Sequence, residues 1–232
     1  ESMGHYAGST LPRTMALILV LVGLLFKIGA VPFHMWVPDV YEGSPTSTTI
    51  YLATAPKLAG FAMILRLVGD GLESLATEWQ GMLLVVSILS LALGNVIAIA
   101  QTNIKRMLAY SAIAHVGFFL LGILTGEGSG YASAMAYILI YAVVTLGAFG
   151  VILVLSSEEV EADLIEDYSG LSRSHPWAAF IMLLLMLSLA GIPPTVGFYA
   201  KLSVLQAVVN AELTWAAVIA VVFSVSTLST WK

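Results

Sequence analysis

Apolar residues along this chain fall into seven long runs separated by short polar stretches. They extend from about Met15 to Phe33, Thr48 to Val68, Gly81 to Ala100, Met107 to Thr125, Tyr131 to Leu155, Trp177 to about Val209, and Leu213 toward Leu228. A helix that crosses a bilayer needs about 20 mostly apolar residues, and these runs have that length. None shows the strict alternation of a membrane-barrel strand. In hydrocarbon the backbone must satisfy its own hydrogen bonds, which leaves helices. The sixth run is too long for one span and is broken by Gly191-Ile192-Pro193-Pro194. The pattern therefore predicts an all-α, polytopic transmembrane bundle of about seven helices.

Details inside the runs agree. Gly23, Gly29, Gly60, Gly94, Gly117, Gly122 and Gly147 lie within them, where small residues let membrane helices approach closely. Trp36, Trp79, Trp177 and Trp215 sit at or just outside run ends, the headgroup level that an amphipathic ring prefers. A small-apolar-Pro break occurs twice, at Gly29-Ala30-Val31-Pro32 and at Gly191-Ile192-Pro193-Pro194. Paired interrupted helices point to a transporter site built from inverted repeats.

Composition narrows the class further. The 232 residues are 59% apolar and 10% charged, with a mean hydropathy of +0.95. A soluble domain is about 45–50% apolar and about 25% charged, so soluble and disordered classes are both excluded. The absence of cysteine excludes disulfides, iron–sulfur ligation and thiolate zinc sites. A net charge of −5 gives no reason to expect nucleic acid as a partner. The chain opens on Glu1 without an initiator Met or a signal peptide, and it stops soon after an apolar run. It is expected to be a piece of a longer chain, with a lead-in loop over 1–13, a membrane domain over 14–222 and an atypical tail over 223–232. Lys105, Arg106 and Arg173 lie in loops on one side, and Arg13 and Arg66 near the other. The positive-inside rule then places the Lys105 side in the cytoplasm or matrix.

The candidate chemistry lies in the charges that break the pattern. All fourteen acidic residues fall in loops or at run edges, whereas Lys27, Lys57 and Lys201 fall within runs. One ammonium at a bilayer centre costs about 2.5–3.5 kcal/mol, so three cost on the order of 8–10 kcal/mol. Such residues need a polar interior and a use. An amine held in low dielectric can exchange its proton near neutral pH, and a chain of such groups joined by water is a proton relay. The plain alternatives are that Lys27 and Lys57 snorkel to the surface and that Lys201 lies in a loop after the Pro-Pro break. His115, one turn after Ser111, is either a relay imidazole or a histidine satisfied by a helix–helix hydrogen bond. His34 reads as interfacial, and His5 and His175 as loop residues. Pro56, directly before Lys57, either frees a carbonyl for water or the ammonium or is a packing kink. No histidines or carboxylates stand at metal-ligand spacing. No phosphate-cradling loop, nucleophile elbow or dinucleotide fingerprint is present.

Four blocks carry a family resemblance. They are Phe26-Lys27-Ile28-Gly29-Ala30-Val31-Pro32-Phe33-His34-Met35-Trp36-Val37-Pro38-Asp39-Val40-Tyr41-Glu42-Gly43-Ser44-Pro45; Leu52-Ala53-Thr54-Ala55-Pro56-Lys57-Leu58-Ala59; Asn103-Ile104-Lys105-Arg106-Met107-Leu108-Ala109-Tyr110-Ser111-Ala112-Ile113-Ala114-His115-Val116-Gly117; and Leu187-Ser188-Leu189-Ala190-Gly191-Ile192-Pro193-Pro194-Thr195-Val196-Gly197-Phe198. Over about residues 14–222 the chain resembles the antiporter-like, proton-pumping membrane subunits of respiratory complex I. Pro38-Asp39-Val40-Tyr41-Glu42-Gly43 is similar to the subunit N branch of that family, NADH–quinone oxidoreductase subunit N. Its sister subunits L and M and the Mrp antiporters tend to carry Pro-Asp-Ala-His there.

The resemblance implies two inverted five-helix repeats, two interrupted helices and a chain that corresponds to the middle and later part of the family's fourteen. It implies a relay in which Lys27 matches the lysine of the first interrupted helix, Lys57 the connecting lysine, His115 the next position, and Lys201 the lysine of the second interrupted helix. The family's glutamate that pairs with the Lys27 position is not in this chain. The implied function is proton translocation coupled to quinone reduction elsewhere in the complex. The implied partners are other membrane-arm subunits and the lipid bilayer of a bacterial inner (plasma) membrane, less readily the mitochondrial inner membrane. No cofactor is expected on this chain, since NADH, FMN, iron–sulfur clusters and quinone belong to the rest of the complex. The alternatives are an Mrp-type cation/proton antiporter or membrane-bound hydrogenase subunit, and a structural membrane scaffold.

Overall fold

In the computed structural model, residues 10–126, 128–156 and 162–226 are described. They form α1 (Thr10–Ile28), α2 (Trp36–Gly43), α3 (Thr46–Arg66), α4 (Ala76–Ala98), α5 (Ile104–Leu124), α6 (Gly128–Leu155), α7 (Leu171–Ser174), α8 (Pro176–Ala190), α9 (Val196–Asn210) and α10 (Thr214–Ser226). Four continuous helical stretches, 46–71, 73–98, 104–124 and 128–155, are long and apolar enough to cross a membrane, and α8 and α10 are shorter apolar helices. No strand occurs among the described residues. One isolated antiparallel bridge pairs Asn103 with Leu164. His5, residues 157–161 and the end of the tail at 227–232 lie outside the described residues.

Each apolar run becomes helical, with two differences from the pattern. The first run ends at Ile28 rather than near Phe33, because Gly29 takes a left-handed φ of +76° and stops the helix. The short α2 follows, in a stretch whose polar residues hid it. Its Val37, Pro38 and Tyr41 are buried. As the pattern predicts, the sixth run splits into α8 and α9 at Gly191, which adopts φ +79°. The amides of Gly191 and Ile192 fold back onto the carbonyl of Leu187, 3.0 Å each, and close the end of α8.

The bundle is built around α5. Nearly every residue from Ile104 to Leu124 is buried, and α5 packs against α2, α4, α6 and α9. A helix that is apolar all round is a buried helix, so α5 shows no amphipathic stripe. Its contact with α4 is the most extensive between helices. A Cβ on Gly94 would stand 2.5 Å from the backbone nitrogen of Ala114, and one on Gly117 would stand 2.7 Å from the carbonyl oxygen of Ser87. Glycine at both places lets the two backbones touch. The outer faces carry Leu19, Val143, Val154, Trp177 and other exposed apolar side chains, which suits a surface meant for hydrocarbon or for other helices.

The tryptophans divide. Trp177 and Trp215 are exposed at the starts of α8 and α10. Trp79 is 1% exposed and gives its indole N–H to the carbonyl of Leu72 at 3.0 Å. Trp36 bonds the carbonyl of Phe26 at 2.9 Å, so it fastens α2 to the end of α1.

Candidate functional site

Lys57, His115 and Lys201 are brought together in the interior. All three are buried, although they come from α3, α5 and α9. Lys201 belongs to helix α9 and not to a loop. Lys27 is different. It sits in the last turn of α1 with an exposed side chain. Its Cγ lies 3.5 Å from the point that a Cβ on Gly60 would occupy, one turn along α3 from Lys57. The first relay position therefore stands at the outer edge of the interior file.

Aromatic side chains that the sequence reading did not single out link the file. The Lys57 amine is 5.5 Å from the ring centre of Tyr41 and 5.6 Å from that of Tyr141, within cation–π range. The Tyr141 ring lies 4.9 Å, centre to centre, from the His115 imidazole. Nδ1 of His115 is 2.5 Å from the hydroxyl of Tyr137. At the far end the Lys201 amine lies 5.1 Å from the Phe118 ring centre. It donates to the carbonyl of Ala190 at 2.9 Å and to the hydroxyl of Ser224 at 3.0 Å. A small cavity lined by His115, Tyr137, Tyr141, Ser188, Gly197 and Ala200 offers about 10 Å³ to water centres, about the room one water needs.

The helix breaks frame this file. At the first, the amide of Val31 donates to the hydroxyl of Ser90 on α4 at 3.0 Å. At the second, the amide of Gly197 donates to the hydroxyl of Ser188 at 3.1 Å. A serine thus satisfies a backbone group near each interruption, as buried polar groups require. Pro56 lies within α3, and the hydroxyl of Thr54 turns back onto the carbonyl of Ile50 at 2.8 Å. His34 is half-buried beside the first break.

Several groups of the file hold unused hydrogen-bonding capacity. The Lys57 amine, the hydroxyls of Tyr41 and Tyr141, and the hydroxyl of Thr145 are buried without a hydrogen-bond partner among the described residues. Buried polar atoms are nearly always bonded to protein or ordered water. A cluster of four is chemistry suited to holding water and passing protons along it. Among the described residues no group of three His, Cys, Asp or Glu side chains is placed to hold a metal ion.

A legible signal for the missed tyrosines exists. Tyr137, Tyr141 and Thr145 are spaced by four residues in the middle of the most apolar of the long helices, so they share one face. Tyrosines at bilayer interfaces are ordinary, but tyrosines at mid-span are not.

The Lys105 end is built from charge pairs. Lys105 is 1% exposed in the first turn of α5 rather than in an open loop, and its amine lies 3.0 Å from Asp163 and 3.2 Å from the carbonyl of Ser44. Arg106 reaches Asp39 at 2.9 Å and Glu42 at 2.6 Å on α2. The amide of Ile104 donates to the carbonyl of Asp163 at 2.8 Å, and the amide of Ile165 to that of Thr102 at 2.9 Å.

Comparison with known proteins places this arrangement. A family model described as "NADH:quinone oxidoreductase/Mrp antiporter, TM" matches residues 2–227. NADH-quinone oxidoreductase subunit N of Thioalkalivibrio sulfidiphilus (strain HL-EbGR7) is 62% identical over 219 residues, which cover 94% of this chain and 46% of that protein. A chain of respiratory complex I from Thermus thermophilus with bound aureothin superposes with a TM-score of 0.81 at 35% identity, covering 97% of this chain and 49% of its own. A chain of the Mrp complex from Dietzia sp. DQ12-45-1b gives a TM-score of 0.85 at 26% identity, over 93% of this chain and 40% of its own. The chain spans about half the length of the curated relatives it matches.

Proposed function

We propose, from the premise that this chain belongs to the NADH:quinone oxidoreductase/Mrp antiporter membrane family, that it forms part of the proton path of a complex I membrane-arm subunit of the subunit N type. Protons move through Lys57, His115 and Lys201, with Lys27 at the entrance, while quinone reduction takes place in other subunits. The reading rests on one observation above all: two amines and an imidazole from three helices lie buried in one file joined by aromatic rings and a water-sized cavity. Charge on one buried amine raises the cost of charge on its neighbour, because Coulomb repulsion is weakly screened in low dielectric. A proton arriving at one end therefore favours release at the other. Lys27 is held to meet its carboxylate partner on a further segment of the longer subunit or on a neighbouring subunit. Other complex I subunits are the partners and a bacterial plasma membrane the location. No cofactor is assigned to this chain.

The experiment is Lys57→Ala, and separately Lys27→Ala, in the full-length subunit within the assembled complex. NADH-driven quinone reduction and vesicle acidification are measured together. The reading expects acidification to fall severalfold in both. Unchanged pumping and unchanged quinone reduction in both variants overturn it.

The likeness to the Mrp chain supports a second reading, a cation/proton antiporter subunit. It expects Na⁺- or K⁺-dependent pH changes in vesicles without NADH. A scaffold role, a third reading, expects Lys57→Met to be harmless or stabilising, since an apolar replacement removes a desolvation cost.

A further inference from the structure

The file has a gap that its titratable residues do not close. No hydrogen bond joins Lys57 to His115 among the described residues, and no carboxylate lies in α3, α5 or α6 to bridge them. Tyr141 of α6 touches both, one by cation–π contact and the other ring to ring. Its hydroxyl is buried beside that of Thr145 one turn further on, and neither makes a well-formed hydrogen bond among the described residues. A phenol packed only for its ring would serve as well as phenylalanine. Burying a hydroxyl short of a well-formed bond costs up to about 1–3 kcal/mol, so its presence calls for a use.

We propose that Tyr141, backed by Thr145, is the hydroxyl bridge that carries the proton across the gap between Lys57 and His115. The inference rests on the reading of the chain as part of a proton path and adds a proton-carrying hydroxyl to it. The bridging molecule is water. The Lys57 ammonium gives a proton to an adjacent water, which passes one to the phenol oxygen as the phenol O–H proton moves on toward the imidazole. The phenol gains one proton and loses one, so it ends neutral. Lys57 is left as the free amine and His115 as the imidazolium. Thr145, with one O–H donor and two acceptor lone pairs, holds the water in line. In the proposed path His115 Nδ1–H donates to the hydroxyl of Tyr137 on the same face, the tautomer that leaves the other ring nitrogen free to receive the proton.

The test uses the assembled complex with Tyr141→Phe, which keeps the ring and its packing and removes only the oxygen. Proton pumping is read in H₂O and in D₂O, with Lys57→Met measured in parallel. The expected result is at least a threefold loss of pumping and a larger solvent isotope effect, because a missing bridge makes proton transfer the slow step. A packing defect would slow turnover and leave the isotope effect unchanged. Wild-type pumping with a wild-type isotope effect in Tyr141→Phe, while Lys57→Met is defective, overturns the bridge alone. If Lys57→Met also pumps normally, the proton-path reading falls with it. Should Tyr141→Phe fail to assemble, the near-isosteric Thr145→Val carries the same test, and the same unchanged values there overturn the proposal.

Discussion

The amine of Lys201 on α9 is hydrogen-bonded to the carbonyl of Ala190, the last residue of α8, at 2.9 Å. Helix ends leave their final carbonyls without intrahelical partners, and the C-terminal end of a helix carries partial negative charge. The break at Gly191 thus creates the group that a buried ammonium needs. A sequence feature read as an interruption turns out to be the seat of a cation.

That seat depends on glycine. Gly191 has φ +79°, and a Cβ there would stand 2.7 Å from Cδ of Lys201. Gly191→Ala is therefore strained in two ways, by about 1–3 kcal/mol for the backbone alone, and it pushes Lys201 from Ala190. The expected outcome is a lower thermal midpoint for the purified complex and a clear loss of pumping. Wild-type values for both would show that the amine is not held by this geometry.

Close packing of α4 on α5 yields a contrast between two glycines. Gly94→Leu drives its side chain into the backbone at Ala114, and so prevents the α4–α5 contact. Its expected result is a subunit that is degraded or absent from membranes by immunoblot. Gly23 of α1 has open space around its Cβ position, and Gly23→Ala should accumulate to the wild-type level. Equal accumulation of both variants would contradict the packing described.

Lys105 and Asp163 should be coupled. The amine is buried and the carboxylate half-exposed, at 3.0 Å. Removing only the carboxylate leaves a buried charge short of a partner, but the exposure of Asp163 screens part of the effect. Asp163→Asn is expected to cost about 1–3 kcal/mol. The double variant Lys105→Met/Asp163→Asn should lose less than the two single losses added together. A denaturation-based double-mutant cycle measures this, and strict additivity would mean no coupling.

Tyr168 predicts an alkaline weak point outside the spans. Its hydroxyl donates to the carbonyl of Ala162 at 2.9 Å. Burial, and then the charges of Asp163 and Asp167, push its ionisation above the usual value of 10.0. The folded state thus favours the neutral phenol. Its stabilising effect is whole below about pH 10 and fades as pH rises from there toward the higher folded value. Proteolysis of the 162–168 segment should accelerate above about pH 10 in the wild type. In Tyr168→Phe, which lacks the ionising group, that alkaline acceleration should be absent, and the same acceleration in both would remove Tyr168 as its cause.

How much of this was open to reading from residues alone differs from one side chain to the next. Lys57 and Lys201 stood out because a charge within an apolar run is costly wherever the run packs. His115 did not: its position left a relay imidazole and a histidine satisfied by a helix–helix hydrogen bond both open, and a bond to Tyr137 of α6 is present. Tyr141 and Thr145 did not, since a tyrosine is tolerated in many settings and only its neighbours across the helix face reveal its role. Lys105 was hidden by its position. Next to Arg106 at a run edge it looks solvated, yet a distant loop residue, Asp163, and the carbonyl of Ser44 enclose it.

By itself the sequence determined the number and rough extent of the apolar runs, the two Gly–Pro interruptions and the unusual amines. These follow from local physics: the length needed to cross hydrocarbon, the backbone freedom of glycine and the cost of a buried charge. Only the tertiary structure decided which amines share an interior, that Lys27 lies at its edge, and which tyrosines link them. The reason is that lipid and protein interior are equally apolar to a membrane helix. Hydropathy therefore marks the span but carries almost no record of which face turns inward.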